Sequence, residues 1–375
     1  MRMTPLRTLP LVLLAAAALT ISGCSADPAP TAPEPGGEFD LEALTEAAQA
    51  EGDLTIYADA SEASLRLWAD AFTAEYDIQV TVVRDATAPL YQKFSQEEAA
   101  GQHQADVISI LDHAALDQAV ENEWIAEYTP QEAEGLPAEY ARAGYYFAVQ
   151  SVTSPVIAYN TDNVTAAEAK KLATDPVGFL TTPGMTDRIG VVAPHSGRQN
   201  QSLWYLYTEG RASDEYGWEA AEAIAANTNR ISDAVSTAQG VVQGEFDFGF
   251  GLPDSYMISL ITGSGAPLGF VYPTPTVVVT SALAVSAGAQ HPNAARLFSE
   301  WAASAAGVEA WSTGSNNAPI RSDVDDPRTY LDEDWFVART DNVWVDFESD
   351  DVFLEAMAAD GEFFATWNET FGYSG

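Results

Sequence analysis

A single cysteine, Cys24, rules out an internal disulfide, so a folded body here must rest on its core. Basic residues are scarce. The 16 Lys and Arg face 55 Asp and Glu, giving a net charge of −39, and only Lys93, Lys170 and Lys171 are lysines. Phosphate backbones would be repelled, which excludes nucleic acid as a partner. Such acidity gives a solvated, self-repelling surface. The four histidines, His103, His113, His195 and His291, form no cluster with metal-ligand spacing. There is no Gly-x-Ser-x-Gly, no HExxH and no phosphate-binding P-loop, and no nucleophilic cysteine follows Cys24. The carboxylate pair Asp325-Asp326 lies in an acidic tail, as solvated charge. The chain therefore reads as a non-enzyme that needs no cofactor and no resident metal. Beyond the N-terminus the longest apolar stretch is Val277 to Val285, interrupted by Thr280 and Ser281. It is too short for the roughly 20 residues of a membrane-spanning helix.

The N-terminus is what the rest is not: basic and apolar. Arg2 and Arg7 precede an apolar run from Leu9 to Leu19, broken only by Pro10, and then Ile21-Ser22-Gly23-Cys24. A basic start, a short apolar core and small residues before a cut site describe a secretory signal. The segment resembles a bacterial lipoprotein signal, cut before a cysteine that becomes acylated. The expectation is a signal at 1–23, lipidation at Cys24 and a Pro- and Gly-rich tether over 24–40. An ordinary cleaved signal with an incidental cysteine is the alternative. The first reading places a monomeric body on the extracellular face of a bacterial membrane, held by one lipid.

The remaining body, about 330 residues, is too long for one ordinary core, so two domains are expected. Leu54 to Tyr57 alternates as a strand, and Leu65, Trp68, Phe72 and Tyr76 recur at helical spacing over Glu62 to Tyr76. Ile78 to Val83 is a strand. Thr87 before Pro89 reads as the N-cap of a helix ended by Gly101. Ala105 to Ile110 is a strand and Ala114 to Glu121 a helix. Further strands are read at Val156 to Tyr159, Ile189 to Ala193, Phe246 to Gly251, Leu268 to Tyr272 and Thr276 to Val285. Helices are read at Asn200 to Glu209, Trp218 to Ala226, Asp233 to Val242 (capped by Ser232) and Asn293 to Ser304. Strand alternating with helix implies an α/β fold with parallel sheets.

Spread along this pattern are Leu54-Thr-Ile-Tyr-Ala58, Trp68-Ala-Asp-Ala-Phe72, Gln104-Ala-Asp-Val107, Ile157-Ala-Tyr-Asn-Thr161, Gly244-Glu245, His291-Pro-Asn-Ala-Ala295 with Phe298, and Asn317-Ala-Pro319. Their order and spacing resemble the ferric-iron-type solute-binding proteins of ABC importers. The resemblance implies a two-lobed fold of the periplasmic-binding-protein type, with an interlobe ligand cleft and two crossing strands at the hinge. Lobe 1 would be 53–152 plus 283–375, with the acidic C-terminal tail packed on it, and lobe 2 would be 153–282. The implied partners are a small-molecule ligand, an ABC permease and its ATPase. A tethered ligand-sensing module for a signalling partner would look the same.

Open α/β sheets bind ligands beyond the carboxyl ends of their strands. The cleft candidates are therefore Ser61, Thr87 and Asp112 from the first lobe, and His195, Ser196, Gly197, Asp254, Ser255, Tyr256 and Tyr272 from the second. Ser61, Thr87 and Ser196 serve equally as helix caps, His195 as a surface loop residue, and Tyr272 as core. Iron-binding members place two adjacent tyrosines where this chain has Asp254 and Ser255, with Tyr256 just beyond, and a histidine where it has Ser61. That pattern counts against direct Fe(III) binding, a hard-cation chemistry that wants phenolate and carboxylate oxygens. Serine- and threonine-rich helix starts favour an oxyanion, and Asp112 and Asp254 favour an amine. The expected solute is an organic phosphate or phosphonate or an amine, or an aminophosphonate using both. Fe(III) or an iron chelate is the alternative.

Overall fold

The helix Glu62–Tyr76 shows how the pattern becomes structure. The Ser61 hydroxyl accepts from the Ser64 amide to start it, and Asp77 at φ 57° ends it. Leu65, Trp68 and Phe72 form the buried stripe. Trp68 meets Phe298 edge-on at 4.8 Å and its Nε1 donates to Gly307 O at 2.9 Å, so the stripe docks on the helices Pro292–Ala303 and Ala305–Ser315. The computed structural model describes residues 39–339, 343–344, 347, 350–358 and 361–374. Cys24, the expected signal 1–23 and most of the tether 24–40 lie outside them.

The strands are β1 (Asp53–Ala58), β2 (Gln79–Arg84), β3 (Val107–Ile110), β4 (Ala141–Arg142), β5 (Tyr146–Thr153), β6 (Pro155–Asn160), β7 (Ile189–Val192), β8 (Thr228–Ser232), β9 (Phe248–Pro253), β10 (Leu268–Val271), β11 (Thr276–Val277), β12 (Val279–Val285) and β13 (Val343–Trp344). One sheet runs β2-β1-β3-β12-β5-β4 and a second β10-β6-β9-β7-β8. β1 pairs in parallel with both β2 and β3, and β7 with both β8 and β9, as strand–helix–strand units require. The two sheets carry the two lobes. β5 runs into β6 through Ser154, and the stretch from β10 to β12 returns; these are the two crossings. β3 and β12 are buried along their whole length, which fits central strands covered on both faces.

Several expectations are corrected. Thr87 is not a cap: Ala86 holds that place with no side-chain bond, and Thr87 begins the helix Thr87–Ala99. Ser196 does not cap either; Gly197, at φ 153°, precedes the helix Arg198–Thr208. Asp233 rather than Ser232 caps the helix Ala234–Gln243. The helix Leu41–Glu51 carries no expectation from the sequence. It buries Leu44, Ala47 and Ala48, and the Glu51 carboxylate accepts from the Asn293 and Ala294 amides, capping the helix Pro292–Ala303.

The largest correction concerns the C-terminal tail, expected on the first lobe: Val343 does pack with Tyr140 and Ala148 of that lobe, but the tail's aromatics pack on the second. Trp367 is fully buried, stacks on Phe371 at 4.4 Å and meets Trp204 at 5.9 Å. Phe353 meets Tyr205 at 5.3 Å and Phe363 meets Trp218 at 6.0 Å. The reason lies in Leu203-Trp-Tyr-Leu-Tyr207, a run buried at every position. A helix apolar all round needs cover on its outer side, and the tail's aromatics provide it. The tail also adds β13 in parallel to the crossing strand β11.

Candidate functional site

Strand ends bring two carboxylates into the interior. Asp59 follows β1 and is 7% exposed. Its Oδ2 accepts from the Thr87 hydroxyl at 2.6 Å and the Leu111 amide at 2.9 Å, and its Oδ1 from Ser281 Oγ at 3.3 Å. Burial raises its pKa above the usual carboxylate value, and these three donors offset part of the rise. Asp59 thereby ties the ends of β1, β3 and β12 to the start of the helix Thr87–Ala99. Nearby, Ser109 Oγ donates to Gln150 Oε1 at 3.3 Å, while Gln150 Nε2 and His113 Nε2 are buried without a partner among the described residues. Burial lowers the His113 pKa to about 4.

Asp254 follows β9, also 7% exposed. Its Oδ1 accepts from Thr153 Oγ1 at 2.9 Å, the Ser154 amide at 2.9 Å and the Ser255 amide at 2.7 Å. Its Oδ2 accepts from the Tyr272 hydroxyl at 3.0 Å. Burial and the adjacent carboxylate push the Tyr272 hydroxyl well above its ordinary pKa. Asp254 thus pins the first crossing to the start of the helix Asp254–Ser264 and to the end of β10.

Asp254 borders open space. A cavity of about 640 Å³ lies between Asp254 and Tyr272 of the second lobe, Glu139 and Tyr140 of the first, Ser151 and Thr280 of the crossing strands, and the tail segment 317–339. That size suits a small solute. Its charged lining is mixed: Glu139, Asp254 and Asp326 against Arg328 and Arg339. The lobes also touch elsewhere. Leu111 packs on the second lobe's core, and Asn316 Nδ2 donates to Ser259 Oγ at 3.1 Å.

Of the residues singled out from the sequence, Asp254 and Tyr272 line this cavity. Ser61 and Asp112 cap their own helices, Asp112 by accepting from the Ala115 amide at 3.1 Å. Thr87 serves Asp59. Ser255 contributes its amide to Asp254, and Tyr256 packs against apolar neighbours of the second lobe. His195 lies under the C-terminal helix Glu362–Phe371, 4.9 Å from Phe364 and 5.3 Å from Tyr373, and burial lowers its pKa. Ser196 and Gly197 lie beside it, outside the cavity lining. Among the described residues, no three His, Cys, Asp or Glu side chains gather as a metal-binding group. No helix there is long and apolar enough to cross a membrane. Sequence reasoning missed Asp59, Arg328 and Arg339. Asp59 carried a signal, a carboxylate within the first strand-end loop; the two arginines carried none, because they reach the cavity through the tail.

Residues 68–337 match the family described as bacterial extracellular solute-binding protein. The chain belongs to that family. Its members are binding proteins, and the solved structures similar to this solute-binding protein share its two-lobed fold. Iron-bound HitA from Pseudomonas aeruginosa aligns at a TM-score of 0.61 and 21% identity, covering 74% of this chain and 89% of that one. Trichodesmium IdiA (FutA), in complex with iron and citrate, aligns at 0.66 and 19%, covering 86% and 100%. AfuA from Actinobacillus pleuropneumoniae, with fructose-6-phosphate bound, aligns at 0.57 and 18%, covering 86% and 99%. No curated protein matches the sequence. At these identities the likeness is one of fold, and the ligands of the neighbours differ from one another.

Proposed function

We propose that this solute-binding protein captures a small polar solute in the cavity at its crossing strands and delivers it to the permease and ATPase of an ABC importer. The observation that carries the reading is the cavity itself, about 640 Å³, walled by both lobes and both crossings and lined by charges of both signs. A solute held there contacts Ser151, Thr280 and Asp254 together, so its binding is linked to the relative position of the lobes. The solute class that fits is an organic phosphate or phosphonate, or an amine. The mature protein is proposed to be a monomer at the extracellular face of the membrane, held by a lipid on Cys24. Lobe 1 is proposed as 53–152 with 283 onward to the end of the helix Ala305–Ser315, and lobe 2 as 153–282 with the tail docked on it.

The test is native mass spectrometry of the purified full chain, followed by calorimetry with the solute found. A small polar solute released on denaturation, and rebound with one-to-one stoichiometry, is the expected result. Fe(III) as the bound species, lost to a chelator together with a visible absorbance, would overturn the solute class.

A further inference from the structure

The two arginines of the cavity differ in what they hold. Arg328 is satisfied: Nε and Nη2 donate to the Asp326 carboxylate at 2.9 and 2.6 Å, and Nη1 donates to Asn316 O at 3.2 Å. Arg339 makes one hydrogen bond among the described residues, from Nη1 to the neutral Ser154 Oγ at 3.1 Å, and no ion pair. A guanidinium carries five N–H donors in a planar fork, so most of those of Arg339 have no partner among the described residues. The side chain is half-buried in a chain where acidic residues outnumber basic ones 55 to 16. With so many carboxylates in the chain, an arginine that pairs with none of those described keeps its fork available to an acidic group from outside.

The opposite charge is close in the fold. Ser154, whose hydroxyl accepts from Arg339, gives its amide to Asp254. Among the described residues Asp254 Oδ2 accepts only the Tyr272 hydroxyl, leaving it capacity for one more donor. Glu139 lies on the same wall. An anion site and a cation site therefore flank one crossing residue.

Taking the cavity as the solute site, we propose that Arg339, supplied by the C-terminal tail, is the residue that recognises the solute's acidic group. The solute carries a phosphonate, phosphate or carboxylate that Arg339 engages in bidentate fashion. It carries an ammonium that faces Asp254 Oδ2 and Glu139. The tail is then a third wall of the binding site as well as a cover for the second lobe.

The experiment is calorimetric titration of 2-aminoethylphosphonate, ethylphosphonate and ethylamine into the full chain and into Arg339→Gln, Arg339→Lys and Arg66→Gln. Arg66 is an exposed residue paired with Glu62 and serves as the control. The wild type and Arg66→Gln are expected to bind 2-aminoethylphosphonate more tightly than either half-molecule. Arg339→Gln weakens both phosphonates by about tenfold or more, leaves ethylamine unchanged and keeps the thermal midpoint; Arg339→Lys restores part of the loss. Equal phosphonate affinity in wild type and Arg339→Gln overturns the assignment of Arg339 and leaves the capture reading intact. Binding of ethylamine alone, or of none of the three, overturns the acidic-group assignment. In that event a bound solute of another class in the native mass spectrum still upholds capture, and an unliganded spectrum counts against capture itself.

Discussion

Asp59 and Asp254 are built alike and placed differently. Each is a buried carboxylate at the end of a central strand, each accepts from backbone amides and hydroxyls, and each ties a helix start to a crossing strand. Asp59 is closed in by its own lobe and takes no part in the cavity lining. Asp254 stands at the cavity wall, because the tail crosses beside it without filling the space. The same local device is a latch in one lobe and the border of a site in the other. What separates them is the long-range docking of the tail, whose segment 317–339 lines the cavity with Asp254 and not with Asp59.

The strongest way to break this contrast is to loosen the tail. Trp367→Ala removes a fully buried ring from between Trp204 and Phe371, and chemical denaturation should show a loss of about 3–5 kcal/mol. Hydrogen exchange should then quicken in the helix Arg198–Thr208, whose Trp204 meets Trp367, and stay slow at the Thr55 amide of the first lobe, which Asp106 holds. Equal acceleration at both would mean that the tail does not distinguish the two lobes.

Removing the latch itself comes next. Asp59→Ala removes the acceptor of the half-buried Leu111 amide and Thr87 hydroxyl and of the buried Ser281 hydroxyl, at a cost of about 3 kcal/mol. Solute affinity in the surviving folded protein should change little. A collapse of affinity with preserved stability would move the site to the first lobe's strand ends.

Acid sharpens the contrast in a signed way. His113 is neutral in the fold, with its pKa lowered to about 4 by burial. Its contribution to stability is present above the ordinary value of about 6.5 and is lost as pH falls from there towards 4, by about 3 kcal/mol at most. Asp59, with its pKa raised, contributes in the opposite sense: its share is full below the ordinary carboxylate value and declines as pH rises through the raised one. Asp59→Asn should therefore lose stability more steeply on acidification than the wild type. The His113 imidazole resonances should titrate with a midpoint near 4; a midpoint near 6.5 would contradict its burial.

The smallest stability effect is expected at Asp254→Asn, which keeps the acceptor for the Ser154 and Ser255 amides. Denaturation should shift by about 1 kcal/mol or less. The loss of charge should instead show in two places: the Tyr272 hydroxyl titrates lower, and an amine-bearing solute binds more weakly.

Local pattern made much of the fold legible. The stripe of Leu65, Trp68 and Phe72, the alternation in β1 and the apolar run of β12 each point to the element observed. The helix Leu41–Glu51 was not legible as a separate element, since its small stripe of Leu44, Ala47 and Ala48 lies beside a Pro-rich tether. The site was legible in part. Asp254 and Tyr272 follow from the rule that ligands sit beyond strand ends. Asp59 and Arg339 are held by residues far apart in sequence, and Arg328, though paired locally with Asp326, reaches the cavity only through the fold of the tail; no periodicity records either. The docking of the tail had one trace, the run Leu203-Trp-Tyr-Leu-Tyr207, too apolar on every side to face water.

The most direct test of the account is a crystal structure of the full chain with its co-purified solute. The account predicts electron density in the cavity beside Asp254, with the acidic end of the solute hydrogen-bonded to Arg339. Density at the strand-end loops of Ser61, Thr87 and 194–197, with the cavity empty, would contradict it.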